Sequence, residues 1–264
     1  MKPASFAYAR PKDWSEALKL LAAGARPGAG TQSLGPLLNL RLAQPDTIAD
    51  LRHLPDYAGV RPGDGVLRIG AGTTHAAIED GAVPGRVGEI MASVARHIAY
   101  RPVRNRGTIG GSLAHADPAA DWVAVLPALG ATAIAFGPRG ERRIPLAEFV
   151  TGIFETALAS DELLRAVEVP VLPPDARWGH WKFCRKVGEF SKATACVLAL
   201  PGLAPRAVLA ALDGPPLVIE DARALIGDPA GEAARLVSAV SGLTDWRRAV
   251  AETALRRAVE MAGQ

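Results

Sequence analysis

"RNRGTIGGSLAHADPAAD", Arg104–Asp121, decides how this 264-residue chain is read. Two adjacent glycines, Gly110 and Gly111, stand between Thr108-Ile109 and Ser112, behind Arg104 and Arg106 and ahead of His115, Asp117 and Asp121. Residues without side chains let backbone N–H groups approach a ligand closely and reach φ values that other residues avoid. Successive free amides then form an anion-binding concavity. The stretch has neither the G-x-G-x-x-G spacing of the dinucleotide fingerprint nor the G-K-[ST] ending of a P-loop. On the residues alone, a plain turn and a backbone cradle both stay open.

A second stretch of the same kind lies upstream. "GAGTQSLGP", Gly28–Pro36, mixes small residues with hydroxyls ahead of a predicted short helix or turn. A helix N-terminus adds free amides and the positive end of a dipole, which suit phosphate. Two such loops can grip the two phosphates of one pyrophosphate. Asp121 reads either as the N-cap of a helix beginning at Trp122 or as an acceptor for sugar hydroxyls. Asp117, before Pro118, reads as turn chemistry. His115 has no serine or cysteine in a nucleophile setting beside it and reads as a local contact. No acid, base or nucleophile is assigned.

Composition narrows the classes. With 49% apolar and 22% charged residues the chain is an ordinary globular sequence, long enough for one large or two ordinary domains. The longest apolar runs fall far short of a membrane span, and the N-terminus has no apolar signal core, so a cytoplasmic protein is expected. The net charge of +3 comes with no basic stripe interleaved with aromatics, which argues against nucleic acid. Cys184 and Cys196 form no C-x-x-C pair, and no metal ligand set is predicted.

Along the chain, "SFAYARP" predicts an edge strand, and Asp13 the cap of a helix from Trp14 to Gly24. "TIADL" and "VLRIG" predict strands, Thr74 or His75 a helix start, and Val87–His97 and Asp121–Leu129 further helices. "ATAIAF" and "RRIPL" flank a turn, and "ELLRAVEVP" ends as a strand at Pro170. "VLPPDAR" is the linker, because its two prolines fit neither a helix nor a ladder. Beyond it, "KFCRK", "TACVLAL" and "RAVLAALDGPPLVIE", with an Asp213-Gly214 turn, predict an antiparallel sheet. Two or three helices close the chain, the last from about Asp245. The class is α+β or mixed α/β, with two domains expected, split near residue 172.

"AGTQSLGPLLNLRLAQPDTIADL" and "RNRGTIGGSLAHADPAADW" resemble the FAD-binding medium subunit of molybdenum-containing hydroxylases, the family of xanthine dehydrogenase and the carbon monoxide dehydrogenase flavoprotein. "WKFCRKVGEFSKATACVLAL" resembles the start of that family's C-terminal domain. The resemblance implies an FAD-binding domain of the vanillyl-alcohol-oxidase-like (PCMH) type over residues 1–172, in subdomains of about 1–55 and 56–172. A small α+β C-terminal domain, an antiparallel sheet plus helices, then covers 173–264. Ala29, Gly30, Thr31, Gln32, Ser33 and Leu34 match the first FAD-pyrophosphate loop, and Thr108, Ile109, Gly110, Gly111 and Ser112 the second. Asp121 matches a carboxylate that binds flavin sugar hydroxyls, and Lys182 a lysine near the isoalloxazine. The first loop usually reads Ala-Gly-Gly, so Thr31 departs at the second glycine. Threonine reaches positive φ only at a cost, so either the position needs no special dihedral or the loop is reshaped.

The resemblance further implies non-covalent FAD as the one cofactor of this chain. A molybdopterin large subunit and a small subunit with two [2Fe–2S] clusters are its implied partners, assembled as a dimer of heterotrimers. Electrons pass from those clusters to the FAD and on to an external acceptor. Two other readings stay open: a free-standing FAD oxidase or reductase of the same fold, and a non-redox nucleotide-binding protein. Covalent flavin attachment within the first loop is excluded, since it holds no histidine.

Overall fold

The computed structural model describes residues 2–263, and three sheets follow one another along the chain. The first is parallel and small, in the order β1-β3-β2: Ala7–Ala9, Thr47–Asp50 and Arg26–Gly28. Helix α1 (Trp14–Ala22) starts where Asp13 predicts, with the Asp13 carboxylate accepting from the Glu16 amide at 2.8 Å. The sequence predicts no strand at β2, because three residues containing Pro27 carry no readable period. Helix α2 (Leu34–Asn39) follows the first glycine loop.

The second sheet is antiparallel, in the order β4-β5-β10-β6-β7. Its strands are β4 (Val60–Pro62), β5 (Val66–Gly70), β6 (Thr132–Gly137), β7 (Gly140–Pro145) and β10 (Leu163–Pro170). Between β5 and β6 run α3 (His75–Glu79), α4 (Gly85–Ala95), α5 (Arg101–Arg104), α6 (Ile109–His115) and α7 (Asp121–Ala128). A short hairpin, β8 (Val150–Gly152) with β9 (Glu155–Thr156), precedes β10. Trp14 joins the first two sheets. Its ring meets Tyr57 and Phe136 edge-on at 5.8 and 5.5 Å, and its indole N–H donates to the Pro55 carbonyl at 3.0 Å. The Arg165 guanidinium lies 4.9 Å from the same ring, a contact worth about 0.5–2 kcal/mol.

The third sheet is antiparallel: β11 (Arg177–Phe183), β12 (Ala193–Ala199), β13 (Arg206–Ala210) and β14 (Leu217–Ile219), in that order. One face, with Ala195, Val197 and Leu209, packs on α8 (Arg223–Gly227), α9 (Pro229–Ser238) and α10 (Asp245–Ala262). The other face, with Cys196, Leu198 and Val208, joins the large core that holds α7. This explains the unbroken run "ATACVLA": covered on both faces, β12 has no solvent side to mark with polar residues. The same holds for α7, every residue of which is buried. The Asp213-Gly214 turn is wider than a two-residue hairpin. The strands stop at Ala210 and resume at Leu217, and Asp213 pairs with Arg247 at 2.5 Å. Among the described residues no helix is long and apolar enough to cross a membrane.

Strand β11 carries Trp178 and His180 stacked on one face, ring centroids 6.4 Å apart, with Trp178 Nε1 and His180 Nε2 buried and without a partner among the described residues. Burial, with the charge of Lys182 nearby, pulls the His180 pKa down to about 3. Below the ordinary histidine pKa of about 6.5 the unfolded chain takes up a proton that the folded chain refuses, so stability falls as pH drops through that window. We expect His180→Phe to gain about 2 kcal/mol over the parent on going from pH 7 to pH 5. Urea unfolding at the two pH values measures the difference.

Candidate functional site

The two glycine loops touch through their backbones. A Cβ on Gly30 would lie 2.0 Å from the Arg106 carbonyl oxygen and 2.8 Å from Gly107 Cα, so only glycine lets the loops close on each other. Together they wall a cavity of about 500 Å³. Its lining takes in Ala29, Gly30, Thr31, Gln32, Ser33 and Leu34 from the first loop, and Thr108, Gly110, Gly111 and Ser112 from the second, with Asp121. Ile109 instead turns into the core, fully buried, and Lys182 is not in the lining.

The second loop is a helix start rather than an open cradle. Thr108 caps α6, its hydroxyl accepting from the Gly111 amide at 3.0 Å. The Ile109 amide donates to Thr73 O at 3.0 Å, Gly110 to Ala71 O at 2.8 Å and Ser112 to Thr108 O at 3.0 Å. The expectation of free amides here is therefore corrected: these donors are already used. Gly110 also serves a different purpose from the one expected. Neither Gly110 nor Gly111 takes a left-handed φ. A Cβ on Gly110 would fall 2.3 Å from the Ala71 Cβ, so Gly110 is there for close packing against the strand end. Most free donors lie in the first loop instead, where the amides from Gly30 to Leu34 have no partner among the described residues. Gln32 folds its amide back onto the Gly30 carbonyl at 3.1 Å.

Thr31 resolves the choice posed by the sequence. Its φ is 58°, in the left-handed region, so the position does demand the unusual dihedral and a β-branched residue bears it. The cost is about 1–3 kcal/mol, held in place by the Thr31 carbonyl accepting from Gly35 at 2.8 Å.

Asp121 is the first residue of α7, and its side chain makes no cap bond, which removes the N-cap reading. Its carboxylate instead accepts from Lys182 Nζ at 2.9 Å, and the same ammonium donates to the His97 carbonyl at 3.0 Å. Burial pushes the Asp121 carboxyl above its usual pKa, while Lys182 pulls the other way. The pair thus ties α7, the end of α4 and β11 together at the cavity wall. Asp117 accepts from the Ala119 amide at 2.9 Å, a turn contact. His115 lines the cavity and packs on the Phe154 ring at 5.0 Å. Among the lining residues that escaped sequence reading are Tyr57, in a loop, and His75, which signalled only a helix start. Neither sits in a motif, and only the fold brings them to the cavity.

Comparison with known proteins matches residues 4–172 to the family described as "FAD binding domain in molybdopterin dehydrogenase". The chain is 39% identical to the 6-hydroxypseudooxynicotine dehydrogenase complex subunit alpha of Paenarthrobacter nicotinovorans, over 81% of this chain and 74% of that one. It is 35% identical to the carbon monoxide dehydrogenase medium chain of Afipia carboxidovorans, over 99% and 98%. Among solved structures, a cyanide-inactivated Cu,Mo-CO dehydrogenase chain superposes with a TM-score of 0.91 at 32% identity, covering 99% of both chains. Quinoline 2-oxidoreductase from Pseudomonas putida 86 gives 0.88 at 29% identity, over 100% of this chain and 99% of that one.

Replacing Thr31 by glycine removes the left-handed strain at the cost of a more flexible unfolded chain. Thr31→Gly should stabilise the protein by about 1 kcal/mol, seen as a higher denaturant midpoint with an unchanged slope.

Proposed function

Since the chain belongs to the family of FAD-binding domains of molybdopterin dehydrogenases, we propose that it is the flavin-bearing, electron-transferring subunit of a molybdenum-containing oxidoreductase complex. The observation that carries this is the junction of Gly30 with Arg106-Gly107, which places both glycine loops on one cavity. The residues present fit FAD. The cavity suits a dinucleotide-sized ligand, the unpartnered amides from Gly30 to Leu34 supply donors for a pyrophosphate, and Gly111 leaves the facing wall bare. When bound, FAD supplies the electron-accepting isoalloxazine.

The chain's own residues bind and orient. Ala29, Gly30, Thr31, Gln32, Ser33 and Leu34 form the phosphate-holding arc. Thr108, Gly110, Gly111 and Ser112 form the opposite wall, and Ile109 anchors that wall in the core. Asp121 accepts from sugar hydroxyls, and Lys182 positions the Asp121 carboxylate rather than touching the flavin, since its ammonium is committed to Asp121 and His97. Residues 1–172 form the FAD-binding domain, in subdomains of about 1–55 and 56–172, and 173–264 the C-terminal domain.

The partners in this reading are a small iron–sulfur subunit with two [2Fe–2S] clusters and a large molybdopterin subunit, in a cytoplasmic dimer of heterotrimers. Electrons reach the FAD from the clusters and leave to an external acceptor. Supporting this, relatives are designated medium chain, medium subunit and complex subunit.

Gly111→Val places branched carbons at the cavity wall beside Thr108 Oγ1, which a Cβ alone would approach to 2.8 Å. Co-expressed with the neighbouring subunits and purified as the complex, this variant should lose most of its flavin and keep its circular dichroism. Full flavin content in the variant counts against the proposed wall. A colourless parent complex, or a flavoprotein that oxidises substrate without partners, counts against the function itself.

A further inference from the structure

Resting on the FAD reading above, we propose that His75 is a binding residue of this cavity, donating its Nε2–H to an acceptor atom of the bound dinucleotide. His75 is the first residue of α3, capped by Thr74, whose hydroxyl accepts from the Ala77 amide at 3.1 Å. Its own amide donates to the Gly107 carbonyl at 2.9 Å, which pins it to the turn just before Thr108. The ring is buried yet lines the cavity.

The proton's position follows from one hydrogen bond. Trp122 Nε1 can only donate, and it lies 3.1 Å from His75 Nδ1, inside the core. Nδ1 must therefore be the bare acceptor and Nε2 the protonated nitrogen. Burial, with the charge of Arg104 nearby, holds the imidazole neutral by pulling its pKa down to about 4. The Arg104 guanidinium is itself engaged by Glu79 at 2.7 Å.

The Nε2 edge faces the loop. A Cβ on Gly107 would stand 2.9 Å from His75 Cδ2 and 3.0 Å from Nε2, so the bare Gly107 keeps this edge uncovered. Trp178 Nε1 and His180 Nε2 are sealed in without partners; His75 Nε2 is not sealed, and no acceptor among the described residues takes it. The amides of Ile109, Gly110, Gly111 and Ser112 are spent on the protein, so this wall has few backbone donors left and a side-chain donor adds to them.

Two isosteric replacements separate binding from structure. Asparagine puts an acceptor near the Nδ1 position for Trp122 but does not reach the Nε2 position. Glutamine puts an N–H near Nε2 but leaves Trp122 without its acceptor. In the purified complex, stripped of flavin and titrated with FAD by fluorescence quenching, His75→Asn should weaken FAD binding about tenfold while keeping the melting temperature. His75→Gln should bind FAD within about twofold of the parent and melt lower. The reverse order, or two variants that both bind as the parent does, overturns the assignment and leaves His75 a structural acceptor for Trp122. A parent complex that takes up no FAD at all sinks the functional reading instead, and this assignment with it.

Discussion

The close approach of Gly30 to the backbone of Arg106 and Gly107 is the constraint on which the site depends. At 2.0 Å from a would-be Cβ, the Arg106 carbonyl excludes any side chain at position 30. Backbone packed on backbone admits almost no slack, so the first loop's free amides are held at a fixed distance from the second loop. Thr31 follows from the same constraint. Its left-handed φ of 58° lets the chain leave that contact and enter α2, and the strain persists because the contacts on either side over-determine it.

A second constraint is the burial of α7 on all sides. The helix packs on one face of the sheet of residues 177–219 and shares its large core with the antiparallel sheet of residues 60–170. An ionic group on such a helix is costly unless paired, and Asp121 is paired with Lys182 from β11. One charge pair therefore serves packing and site together, because it fixes the register of the C-terminal sheet against the wall of the cavity. The Trp122 indole, next in sequence, does the same for His75 through a neutral hydrogen bond.

Much of this was legible in the residues. The cap at Asp13, most longer strands of the antiparallel sheets and the two glycine loops follow from local chemistry, and local chemistry is present in sequence. The short strands β2 and β4 and the helix α6 were not legible. Three residues give no period, and "TIGGS" looks like a loop because its glycines are poor helix formers. Gly110 is tolerated there because Ala71 lies against it, a neighbour far away in the chain.

The sequence by itself determined which residues form the two loops, that Thr31 breaks their usual pattern, and that Asp121 is the notable carboxylate. Only the tertiary structure decided what each does. It spent the Ile109 and Gly110 amides on Thr73 and Ala71, left those of the first loop free, and moved Asp121 from a helix cap to a buried ion pair. It also brought His75 and Tyr57 to the cavity. The reason is physical: a donor is free or used, and a side chain buried or open, only in relation to neighbours that are distant in sequence.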